Sequence, residues 1–180
     1  MKKRTLFISI LLHVLLLLAV YILQGVIFPF IRINGLVPLM LPIASTGIAL
    51  YEGRDIGGLS GLFAGILCDV SFNQPVGVFT VFLTLSGLLI GTLADTVILR
   101  GFVTYYISCA IILFISAIVQ IYPLLLTLTS EPVQSIPLQA LISTTIQQTI
   151  YSLILALPIW FFVQALGKHT DRVSPSGRVY

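Results

Sequence analysis

Fifteen charged side chains are all that 180 residues carry, and their positions constrain the fold more than any other feature. They fall at Lys2, Lys3, Arg4, Arg32, Glu52, Arg54, Asp55, Asp69, Asp95, Arg100, Glu131, Lys168, Asp171, Arg172 and Arg178. Uncharged runs separate them at 5–31, 33–51, 56–68, 70–94, 101–130 and 132–167. Crossing the ~30 Å hydrocarbon core of a bilayer takes about 20 apolar helical residues. Four of the six runs exceed that. The shorter segments 36–50 and 56–71 suit thin or tilted spans, or a re-entrant pair. The expected fold is therefore all-α: a polytopic integral membrane protein, built as a compact bundle of six transmembrane helices. Its spans are expected at about 6–29, 36–51, 56–72, 76–98, 102–123 and 138–166, within a single domain over 1–180.

Composition closes off the alternatives. Soluble domains are about 25% charged, whereas this chain is 8% charged and 58% hydrophobic. Too few polar groups exist to cover a globular surface, which excludes a soluble enzyme, a disordered regulator and a nucleic-acid binder built on a basic patch. The net charge of +3 is what basic cytoplasmic ends of a membrane protein produce. Met1-Lys2-Lys3-Arg4 resembles the start of a secretory signal, but the 27 uncharged residues that follow far exceed a signal's apolar region of about 7–15. A retained first helix is expected.

Lys and Arg collect in loops that stay cytoplasmic. Six spans with the N-terminus inside place Lys2, Lys3, Arg4, Arg54, Arg100, Lys168, Arg172 and Arg178 on the inner side and only Arg32 outside. Both termini are then cytoplasmic. Aromatic residues near the proposed span ends (Phe28, Phe30, Tyr51, Phe72, Phe102, Tyr105, Tyr106, Tyr122, Trp160, Phe161) fit interfacial belts. Pro38 and Pro42 open the second helix, and Pro158 should kink the sixth.

Catalytic constellations are missing from the sequence. Cys68 and Cys109 lie in apolar segments, as small packing residues do. His13 sits in the first helix with no Cys, Asp or Glu beside it in sequence, and the only other histidine is His169. A metal site needs at least about three converging ligands. Asp69 and Asp95 are expected at opposite membrane depths, so they cannot work as a proton-sharing pair. No enzyme, cofactor or metal site is expected.

The most informative segment runs from Tyr51 to Asp69. Gly57, Gly61 and Gly65 recur every four residues, with Ser60, Ala64 and Cys68 beside them, and Gly87 and Gly91 repeat the spacing in the fourth helix. Such rows let two backbones approach closely where no hydrophobic drive acts between helices. They serve either packing within the bundle or docking of a partner's transmembrane helix. Asp69 continues the first row. A carboxylate at a helix C-terminus is disfavoured by the dipole and needs compensation in hydrocarbon. The only outer basic residue, Arg32, is the expected partner, whereas Asp95 can reach the inner interface near Arg100. In the last helix, Thr144, Gln148 and Ser152 form a polar stripe, with Thr145 and Thr149 beside it. These residues, with Gln120, either hydrogen-bond between helices or line a small-molecule pocket in the outer half.

The run Gly57-Gly58-x-x-Gly61-Leu62-x-x-Gly65-Ile66-Leu67-x-Asp69, followed by Pro75-x-Gly77 and an apolar helix with Gly87 and Gly91, resembles the rod shape-determining protein MreD family. The motif covers about 20 residues, and the general layout covers the chain. Pro38 and Pro42 stand where that family often has Pro followed by a polar residue. The resemblance implies a non-enzymatic, cofactor-free component of the inner-membrane machinery for lateral wall growth. It implies action with an MreC-like single-span protein, indirectly with the MreB cytoskeleton, and beside RodA-type and class B penicillin-binding wall synthases. A fold similar to the substrate-binding (S) subunits of energy-coupling factor transporters is also implied, and it supplies a second reading as a vitamin-binding subunit. Those subunits commonly carry an Ala-x-x-x-Ala-like row on the first helix, whereas residues 6–29 contain Ala19 alone. For the outer-face pair, a charge exchange (Arg32→Asp with Asp69→Arg) that rescues neither single variant, read by the yield of detergent-extracted monodisperse protein, would show that the two residues do not pair.

Overall fold

Long apolar runs in this chain become helices because a backbone in lipid must satisfy its own hydrogen bonds. The computed structural model describes residues 2–30, 36–71, 77–96, 101–128 and 138–173, with side-chain environments for 10–30, 36–71, 77–96, 101–119 and 143–164. Six α-helices follow in order: α1 (Lys2–Ile22), α2 (Met40–Glu52), α3 (Arg54–Ser71), α4 (Val78–Thr96), α5 (Phe102–Leu128) and α6 (Leu138–Val173). A π-helical turn (Leu23–Ile27) and a 3-10 turn (Phe28–Phe30) extend α1. The described residues contain no strand element. Pro158 lies inside α6 without ending it.

Four segments are long and apolar enough to cross a membrane: Ile10–Phe30, Val78–Thr96, Phe102–Val119 and Ser143–Gln164. Six helices match the expected six segments, but α2 and α3 differ from the other four. The 13 residues of α2 rise only ~20 Å, and every residue from Pro38 to Leu50 is buried. α2 packs against all five other helices. It is the axis of the bundle, with no outward face. The surrounding helices turn large apolar side chains outward, among them Leu15 and Val26 of α1, Leu59 and Val70 of α3, Leu89 of α4, Ile111 of α5 and Ile154 of α6. Such continuous apolar exposure belongs in a low-dielectric surround.

The contacts set the ends of the helices in register. At one end of the bundle, Arg54 of α3 meets Asp95 of α4, and Tyr51 of α2 lies 5.2 Å from Trp160 of α6. At the opposite end, Asp69 of α3 meets Gly77 before α4, and Phe28 lies 6.5 Å from Tyr151 of α6. Not all the aromatic residues expected at the membrane faces are there. Tyr105 is fully buried, its ring 4.7 Å from that of Trp160, itself 6% exposed. Gly47 makes room for this cluster, since a Cβ there would lie 3.1 Å from the Tyr105 ring. Phe30 and Phe161 are exposed as expected.

The start of α2 illustrates how a buried helix end is accommodated. The first N–H groups of a helix have no partner within it. Here the Leu39 N–H donates to Ser152 Oγ at 2.9 Å, and the Met40 and Leu41 N–H groups donate to Gln24 Oε1 at 3.0 and 3.2 Å. Pro42, next in line, has no N–H to satisfy, so it belongs to the first turn and imposes no break. Val37 O, just upstream, accepts from Gln148 Nε2 at 3.1 Å. α1 and α6 thus cap α2 jointly. Gln24→Leu would leave two buried N–H groups unpaired at once, and each unmade bond costs about 1–3 kcal/mol. The expected outcome is a drop of several degrees in the midpoint of thermal unfolding in detergent.

Candidate helix-packing and docking surfaces

Among the described residues, the glycine rows meet each other rather than an outside partner. A Cβ placed on Gly57 would lie 2.8 Å from Ala49 Cβ and 2.9 Å from Gly87 O, and one on Gly61 would fall on the Leu83 carbonyl. Gly65 faces Thr80 and Phe79, Gly87 faces the Gly57 carbonyl, and a Cβ on Gly91 would lie 2.6 Å from Arg54 Cα. The α3 and α4 backbones therefore touch along their shared length. Of the two uses open to these glycines, packing within the bundle accounts for all five. No space remains on this row for a partner's helix, so that reading of the row is corrected: any docking face must lie elsewhere.

Each row ends in an aspartate that caps the other helix. Asp69 is 4% exposed, and its oxygens reach the start of α4. Oδ1 accepts from Phe79 N–H at 2.9 Å, while Oδ2 accepts from Gly77 N–H at 2.9 Å, Thr80 N–H at 3.2 Å and Thr80 Oγ1 at 2.6 Å. The compensation that Asp69 requires comes from the positive end of α4, although the residue itself stands near the C-terminus of α3. Gly77 has φ 107°, a left-handed conformation that favours glycine. Arg32 lies outside the described residues.

At the other end Asp95 Oδ2 accepts from Arg54 N–H, the first residue of α3, at 3.1 Å. Asp95 was expected near Arg100, which lies outside the described residues. Gly87, Gly91 and Asp95 repeat the four-residue step of Gly61, Gly65 and Asp69. That repeat was legible as a pattern, but Asp95 was treated as an interfacial charge. Gly53, the single residue between α2 and α3, has φ 85°, and a Cβ there would lie 2.7 Å from the Asp95 carboxylate. The result is an antiparallel pair capped at both ends, each helix donating the cap for the other.

The polar stripe of α6 divides. Gln148 and Ser152 are buried and bonded to the segment leading into α2, and Thr145 is buried beside them. Thr144 turns outward and is corrected as a pocket residue: it stands one position off the inward-facing 145–148–152 row. The side chain of Gln120 lies outside the described residues. Gln24, which the sequence reading missed, is the second cap of α2. Its signal was a lone amide in an otherwise apolar helix.

An apolar groove of about 690 Å³ lies between α4 and α5, lined by residues including Phe82, Leu85, Leu89, Thr104, Ile107 and Ile111. Among the described residues no three His, Cys, Asp or Glu side chains converge as a metal site would require. Comparison with protein-family models, with curated proteins and with solved structures yields no match.

Two outcomes follow for stability, read by chemical unfolding in detergent. Gly61→Leu must force the α3 and α4 backbones apart and lowers stability by about 3 kcal/mol or more, whereas Gly25→Ala, with nothing within 4 Å of its Cβ, is tolerated. Asp69→Asn removes acceptor capacity from a buried cap and costs about 2 kcal/mol, against about 1 kcal/mol for the exposed Asp95→Asn.

Proposed function

We propose that this chain is a non-enzymatic scaffold of the MreD type, acting in a bacterial inner membrane with six passes and both termini in the cytoplasm. The observation that carries the reading is the use made of the motif behind the resemblance. Gly57, Gly61 and Gly65 close α3 onto α4, Asp69 caps α4, and Gly77 supplies the turn that the cap requires. The motif thus builds a rigid frame rather than a reactive site. A frame of this kind acts through binding energy: it holds a single-span, MreC-like partner at a fixed place beside the RodA-type and class B penicillin-binding synthases, and connects through that partner to the MreB cytoskeleton. The partner would meet the apolar perimeter, since the glycine rows are occupied. The polar groups that would suit a vitamin pocket support the scaffold reading instead, because Gln148 and Ser152 are engaged with the segment entering α2. A bundle similar to the S subunits of energy-coupling factor transporters belongs to this proposal as well.

Depletion in a rod-shaped host tests it. The expected outcome is rounding of the cells, with loss of the MreC-like protein from affinity-purified complexes. Vitamin auxotrophy with normal rods would instead identify a transporter subunit.

A further inference from the structure

We draw no further inference here: the strongest candidate, the apolar groove between α4 and α5 lined by Leu89, Ile107 and Ile111 among others, is an unpartnered apolar face, and nothing in the structure shows what covers it.

Discussion

A helix that begins inside an apolar medium brings N–H groups that nothing within the helix can satisfy. The rest of this structure depends on how that requirement is met. α2, α3 and α4 all begin against neighbouring helices, and side chains from elsewhere in the chain supply the acceptors. Gln24 and Ser152 serve α2, Asp95 serves α3, and Asp69 serves α4. Helix dipoles strengthen the last two, because a carboxylate near a helix N-terminus is favoured. Two of the chain's six acidic residues thus serve as caps for helix starts.

The glycines follow from the same requirement. For Asp69 to reach the start of α4, and for Asp95 to reach the start of α3, the two axes must lie close along their whole length. Side chains at 57, 61, 65, 87 or 91 would hold them apart. Close approach and reciprocal capping therefore stand or fall together. A change at Gly61 in the middle would disturb caps at both ends.

Six helical segments were legible from the spacing of charges, because charge placement reports where a chain meets water. Depth was not legible in the same way. Residues 36–51 are apolar enough to pass as a thin span, yet their helix begins only at Met40 and is enclosed as far as Leu50, and hydropathy cannot distinguish lipid from protein as the surround. The glycine row was visible, and so was the need for Asp69 to be compensated. The donor was not, since sequence distance hides the return of α4 to lie beside α3. Thr144 and Gln148 show the same limit: four-residue spacing identified a stripe, but an inward row shifted by one position satisfies it equally well. As for the scaffold reading, the structure contributes a physical meaning for the motif that suggested it.

The enclosure of α2 also bears on the order in which the molecule can be built. A chain enters the membrane from its N-terminus, so α2 is synthesised long before α6. Yet the Leu39 N–H finds its partner on Ser152, 113 residues later in the chain, and the Val37 carbonyl finds its own on Gln148, 111 residues later. Until the final helix arrives, the central one has an open side and unpaired backbone groups. The middle of the protein is therefore the last part to be completed, and a chain stopped before residue 148 lacks the closing contacts of its own axis.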